Sequence, residues 1–204
     1  MDRDTLRRGL DAVAEQDPQV AAGLALVGYP EPRLSDHGFA TLLNIIISQQ
    51  ISKEAAASIR GRVEALYPSG TAAEFLTLSD ENLRGAGFSR PKVAYARGLA
   101  EAIEDGRLDI AILAEMADDE AVAAITALKG FGRWSAEIYC MFALRREDLF
   151  PGEDIALQEA MRRLKGLESR PTAKHARALA AAWSPWRSPM AVFLWHYYRG
   201  APQS

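Results

Sequence analysis

Residues 128 to 154, LKGFGRWSAEIYCMFALRREDLFPGED, place a Gly-x-Gly turn ahead of a mostly apolar helix and then a single carboxylate. Gly130 and Gly132 bracket Phe131 where a helix over roughly 118–128 must end and a new one begin, a turn that glycine makes at little steric cost. With no side chains in the way, the N–H groups from Gly130 to Ser135 can converge on an oxygen anion at the positive end of the following helix. Lys129 and Arg133 flank that cradle. Asp154 stands immediately before IALQEAMRRL, where it can cap the helix. The same carboxylate can stabilise a developing positive charge or steer a water molecule. Phosphate binding joined to one acidic group is the chemistry this stretch could perform.

The elements that must hold these residues read as helices. Segments 52–66, 89–104 and 172–183 are Ala-rich with charges spaced for exposed faces, and strand patterns are nearly absent. The expectation is an all-α fold of about ten helices. NIIIS at 44–48 could suit a strand, but its flanks favour helix. Thr71 with Glu74 has the spacing of a capping box, and Pro68, Gly70, Gly106 and Pro171 punctuate between helices. Segments 39–47, 134–144 and 190–198 are apolar nearly all round, which makes them central and predicts that they pack together. LRGAGFSRPKVAYA at 83–96 repeats the Gly-x-Gly pattern more weakly and reads as a turn with Lys92 near phosphate.

The 204 residues, 49% hydrophobic and 25% charged, suffice for one compact domain or two small lobes. The single cysteine, Cys140, excludes a disulfide framework, a four-cysteine zinc site and a four-cysteine iron–sulfur cluster. No run approaches the length of a transmembrane helix and the N-terminus lacks an apolar signal core, so a cytoplasmic protein without a membrane partner is expected. The net charge of −3 is uneven: residues 1–120 hold 12 Lys/Arg against 20 Asp/Glu, residues 121–204 hold 12 against 7. The basic excess, with Arg162, Arg163, Lys165, Arg170, Lys174 and Arg177, follows the Gly-x-Gly turn, as expected of a face that meets phosphates, the alternative being an ordinary solvated helical surface. His37, His175 and His196 are too scattered for a metal site or a triad, which leaves them surface or packing roles.

IIISQQIS at 45–52, LRGAGFSRPKVAYARGLA at 83–100, LKGFGRWSAEIY at 128–139, FPGED at 150–154 and WSPWRSPMAVFLW at 183–195, in this order, resemble the helix-hairpin-helix DNA glycosylase superfamily and its alkylation-repair branch, DNA-3-methyladenine glycosylase II. The resemblance implies a two-lobed helical fold with the active site in a cleft between lobes: one glycosylase unit over 1–204, a central helical lobe at 36–115, and a lobe of 1–35 plus 116–204 carrying hairpin and acid. It implies a partner, double-stranded DNA containing a damaged base, and a monomeric, bacterial-type enzyme that flips the nucleotide out before cutting its glycosidic bond.

Each residue then acquires a role. Gly130, Gly132 and Ser135 amides, with Lys129 and Arg133, hold the DNA backbone. The carbonyls of Thr126, Leu128 and Phe131 surround a structural monovalent cation, sodium or potassium; no other cofactor is required. Gln50 fills the gap left by the flipped nucleotide, and Gln49 contacts the opposite strand. Trp134 and Trp195 line the base pocket, where a cationic alkylated purine gains cation–π attraction. Tyr139, Ile138 and Ile155 join that pocket, Ile138 standing where the family places its pocket tyrosine. Asp154 is the catalytic carboxylate, Glu153 points elsewhere, and Arg187 braces the catalytic helix. Relatives that also cut the strand carry a lysine where this chain has Trp134, so the resemblance implies a monofunctional enzyme without lyase chemistry. Alternatives are a glycosylase for another damaged base and a non-catalytic helix-hairpin-helix DNA-binding module. The chain starts about 35 residues before the first core helix, so the extra N-terminal domain common in this class is expected to be absent.

Overall fold

Every regular element in the computed structural model, which describes residues 1–201, is helical. The chain forms two compact units: Met1–Leu34 together with the chain from Cys140 onward, and Ser35–Tyr139. The first begins with α1 (Arg3–Ala14), capped by Asp2, which accepts from the Thr5 amide, and burying Leu6, Leu10 and Val13 on one face. Proline opens α2 (Pro18–Val27), where its fixed φ and missing N–H cost nothing.

The second unit holds α3 (Phe39–Ser48), α4 (Lys53–Glu64), α5 (Ala72–Leu76), α6 (Asp80–Gly85), α7 (Arg90–Glu104), α8 (Ile110–Leu113), α9 (Asp118–Thr126) and most of α10 (Arg133–Phe142). NIIIS is helical, because Leu42, Leu43, Ile46 and Ile47 recur at helical spacing and are buried. Both α3 and α5 pack on α7. Phe39, Tyr67 and Phe75 meet edge-on, with ring centroids 5.4–6.1 Å apart. The chain then re-enters the first unit for α11 (Ile155–Lys165), α12 (Ala173–Ala180), a 3-10 turn (Ala181–Trp183) and α13 (Arg187–Gly200), with α13 packed on α1, α2 and α11.

Several expectations change in detail. Thirteen α-helices are present among the described residues where about ten were expected; α5, α6 and α8 are only four to six residues long, too short to show a helical apolar period in sequence. Thr71 accepts from the Glu74 amide, but the Glu74 carboxylate takes the Ser69 amide at 2.7 Å, so the expected capping box is only half formed. A complete box is found at Ser79 and Asn82. The division into units falls inside α10, after Tyr139, so the Gly-x-Gly hairpin belongs with Ser35–Tyr139 and not with the segment carrying Asp154. The three apolar segments are divided likewise: α3 lies in one unit, α13 in the other, and α10 carries the boundary. Among the described residues no helix is long and apolar enough to cross a membrane.

Asp17 fastens the first unit together. Its carboxylate caps α2 by accepting from the Val20 amide at 3.3 Å, pairs with Lys165 of α11, and accepts from Trp183 Nε1 at 3.1 Å. Burial alone would raise its pKa, but the hydrogen bonds from Lys165 and Trp183 outweigh that and leave it below the ordinary aspartate range. A depressed folded-state pKa gives stability that is complete above the unfolded value, near 4, and lost as pH falls through the folded value. Asp17→Ala should therefore lower unfolding stability by about 2–4 kcal/mol at neutral pH, through the lost cap and the stranded Lys165 and Trp183 donors. The deficit should shrink in urea titrations repeated at progressively lower pH below 4.

Candidate DNA interface and catalytic carboxylate

The hairpin between α9 and α10 closes through a bond from the Phe131 amide to the Leu128 carbonyl at 3.1 Å. Gly130 sits at φ +98°, and a Cβ there would lie 2.5 Å from Tyr95 Cγ, so both backbone conformation and space demand glycine. At Gly132 the reason differs. A Cβ would meet no atom within 4 Å, and the residue is exposed. The start of α10 thus presents backbone to open space, which is the arrangement phosphate docking requires. Ser135 is buried, while Lys129 is exposed beside the turn. Arg133, expected among the phosphate contacts, donates to Glu137 at 3.0 Å and lies 3.9 Å from Asp119, so much of its charge is already balanced. Glu137 is fully buried on a mostly apolar helix, and the pairing with Arg133 offsets part of the cost of burying its charge.

Gln49 and Gln50 follow the end of α3. Gln49 was expected to reach the opposite DNA strand, yet its side-chain amide donates to the Gly130 carbonyl at 2.8 Å. Gln50 is exposed and adopts φ +57°, a left-handed conformation unusual for a residue with a Cβ. Lys92, expected near phosphate, instead donates to the Ile47 and Gln49 carbonyls at 2.6 and 2.8 Å. Burial without a carboxylate at those two bonds lowers its pKa.

Of the expected pocket residues, Trp134 and Ile138 are four apart and share a face of α10, Trp134 exposed and Ile138 buried. Tyr139 faces another way. It is 1% exposed, accepts from the Gly38 amide at 3.0 Å and donates to His37 Nδ1 at 2.6 Å, while His37 Nε2 donates to the Ile110 carbonyl. These bonds tie Tyr139 into its own unit as a core residue and give His37 a packing role. Trp195 is half-buried with its ring 6.1 Å from that of Phe142. Ile155 is 62% exposed, a large apolar side chain left in the open beside Asp154.

Asp154 caps α11: one carboxylate oxygen accepts from the Ala156 and Leu157 amides at 2.9 and 3.1 Å. Gln158, which the sequence did not single out, and Arg177, expected on a phosphate-facing surface, hold the loop before it. Gln158, buried, donates to the Gly152 carbonyl at 2.7 Å, and Arg177 binds the Phe150 carbonyl and the Glu153 carboxylate. Glu153 is thereby turned to Arg177. Arg187 forms a two-point pair with Asp148 at 2.7 and 3.0 Å, and Ser188 exchanges hydrogen bonds with the Leu149 backbone. The start of α13 therefore braces the chain just ahead of the Asp154 loop.

The basic excess is less available than its count suggests. Arg162 and Arg163 both bind Glu159, whose pKa they pull down to about 2, Lys165 binds Asp17, and Arg177 binds Glu153. Arg170 and Lys174, by contrast, have no carboxylate partner among the described residues. No cluster of three His, Cys, Asp or Glu able to hold a metal occurs among the described residues. At the hairpin the available donors are backbone oxygens, with Thr126 at the end of α9, where carbonyls lack partners in their own helix.

The sequence pattern of the HhH-GPD superfamily base excision DNA repair proteins matches residues 43–186. The chain belongs to that superfamily. Within it, the chain is 29% identical over 177 residues to a Schizosaccharomyces pombe protein named DNA-3-methyladenine glycosylase 1, covering 83% of this chain and 78% of that one. The solved structure of the S. pombe 3-methyladenine DNA glycosylase in complex with abasic DNA superposes with a TM-score of 0.82 at 26% identity, over 92% of this chain and 95% of that one. A DNA-3-methyladenine glycosidase from Bacillus halodurans superposes with a TM-score of 0.83 at 30% identity, over 94% and 89%.

The two glycines of this HhH-GPD hairpin should behave differently when replaced. Gly130→Ala should cost more than about 2 kcal/mol of stability, read from urea midpoints, because strain and the Tyr95 clash add. Gly132→Ala should stay within ~0.5 kcal/mol of wild type. It should nevertheless weaken duplex binding, measured by fluorescence anisotropy, because the methyl group fills the space a phosphate would take.

Proposed function

We propose that this protein is a monofunctional DNA glycosylase that flips alkylated purines of the 3-methyladenine and 7-methylguanine type out of duplex DNA and hydrolyses their glycosidic bond. The observation that carries the reading is Asp154, a carboxylate held by two amides of its own helix and by a loop fixed through Gln158 and Arg177. Departure of the base leaves positive charge on the sugar, and a pre-oriented carboxylate stabilises that charge without reorganising. The same group orients the attacking water. The names of the relatives and the DNA-bound state of one of them support the substrate class.

In this reading the exposed amides at the start of α10 grip the backbone, with Lys129 beside them. Trp134 and Trp195 contribute aromatic surface for a cationic purine. Trp134 also occupies the position where a lyase would need an amine, so the product is an abasic site with the strand intact. The oxygen-only donors of Thr126, Leu128 and Phe131 suit a hard monovalent cation, which would add positive charge at the phosphate. Leu128 keeps an acceptor site after binding the Phe131 amide, so the set fits such an ion.

Asp154→Asn tests the mechanism cleanly, because asparagine caps a helix as well as aspartate and should leave stability nearly unchanged. Release of 3-methyladenine and 7-methylguanine from alkylated DNA should fall by at least about 100-fold while duplex binding persists. Equal release by both proteins would remove Asp154 from the chemistry. Base release by neither, with binding intact, would favour the binding-module reading. Borohydride should trap no covalent DNA adduct; a trapped adduct would reveal a lysine acting as lyase.

A further inference from the structure

The end of α3 is closed by a side chain from another helix. The last carbonyls of a helix lack partners in their own helix. Here the Ile47 carbonyl and that of the cap residue Gln49 both receive the Lys92 ammonium, from the first turn of α7. A positive charge at a helix C-terminus is favourable, and Lys92 is half-buried to provide it. The next residue, Gln50, is held in the left-handed region at φ +57° with its side chain exposed, before Ser52 caps α4. Strain of this kind persists only where the surroundings over-determine it, and it concentrates at functional positions.

A second set of contacts joins this turn to the hairpin. The Gln49 side-chain amide donates to the Gly130 carbonyl, and Gly130 rests against Tyr95, one turn along α7 from Lys92. Lys92 and Tyr95 therefore support two different loops from one helix, and Gln49 links the loops directly. All of these residues lie in the Ser35–Tyr139 unit. The result is a three-sided brace of α3 end, α7 and hairpin.

We infer that Lys92 and Gln49 are positioning residues that lock the Gln50 turn to the phosphate-binding hairpin, so that gripping the backbone and presenting Gln50 to the vacated base stack are one rigid event. This rests on the glycosylase reading above. If the hairpin is seated on a phosphate, the brace fixes where Gln50 stands relative to the duplex. Cutting the brace leaves the grip intact and lets Gln50 relax from its left-handed conformation, so the loss appears at flipping and not at docking.

The test compares excision of one alkylated base in a fully paired duplex with excision of the same base in single-stranded DNA, which needs little unstacking. Under single-turnover conditions Lys92→Met and Gln49→Ala should each reduce the paired rate by about tenfold, equivalent to ~1.4 kcal/mol of transition-state stabilisation, and leave the single-stranded rate within about twofold. Lys92→Arg, which can still donate to both carbonyls, should recover much of the paired rate. In a Gln50→Gly background, which has no side chain left to present, adding Lys92→Met should cost nothing further on the paired duplex. Equal loss on both substrates, or additive losses in the double variant, would overturn the inference. Gln49→Ala severs only the hairpin link, so it decides the matter even if Lys92→Met folds poorly. Wild-type inactivity on every alkylated substrate would count against the glycosylase reading, whereas active wild type with unselective variants would count against the brace alone.

Discussion

An α-helix leaves its first amides and last carbonyls without partners inside itself, and the way this chain satisfies or exposes those groups organises its functional surfaces. The start of α11 is closed by Asp154, and the end of α3 is closed by Lys92. The start of α10 is preceded by Gly132, whose missing side chain leaves open space. These are three treatments of one constraint. A closed start fixes a carboxylate, a closed end fixes a strained turn, and an open start leaves positive amide dipoles for an anion. An all-helical fold of short helices has many such ends, which makes it a productive scaffold for binding a polyanion.

Charge follows a related logic. The carboxyl-terminal excess of Lys and Arg reads as a phosphate-facing surface, yet Arg162, Arg163, Lys165 and Arg177 are committed to Glu159, Asp17 and Glu153. Arg133 is similarly drawn to Glu137. Their work is local: they fix α11 to α2 and hold the loop before Asp154. A protein of net charge −3 that grips DNA must therefore rely on directed groups, backbone amides and a few uncommitted cations, more than on a general positive field.

Much of this was legible in the sequence, for identifiable reasons. The flanks of NIIIS disclosed α3 despite its isoleucines, and Gly-x-Gly disclosed the hairpin, whose Gly130 has a conformation and a neighbour, Tyr95, that leave no room for a side chain. The roles of Lys92, Gln158 and Arg177 were not legible. Each bonds at least one backbone carbonyl, and a carbonyl has no sequence signature by which a distant partner can be recognised. The bonds of Tyr139 to Gly38 and His37 were not legible either, because an aromatic on an apolar helix reads the same whether it lines a pocket or fills a core. The unit boundary was equally hidden, since α10 runs through it as one continuous helix.

Whether Asp154 is a helix cap or a catalyst is not a choice between exclusive roles. A carboxylate has two oxygens and about four acceptor sites, so accepting two amide bonds does not by itself bar it from stabilising charge. Capping removes rotational freedom from the side chain, and electrostatic stabilisation of a cationic sugar is strongest when the stabilising group needs no reorganisation as charge develops. The loop before it is fixed at Phe150, Gly152 and Glu153 by Arg177 and Gln158, so the backbone carrying the carboxylate is constrained as well. In the proposed reaction the cap is thus the means by which a common aspartate becomes a directed one. It explains why the acid stands at the start of a helix and not on a mobile loop.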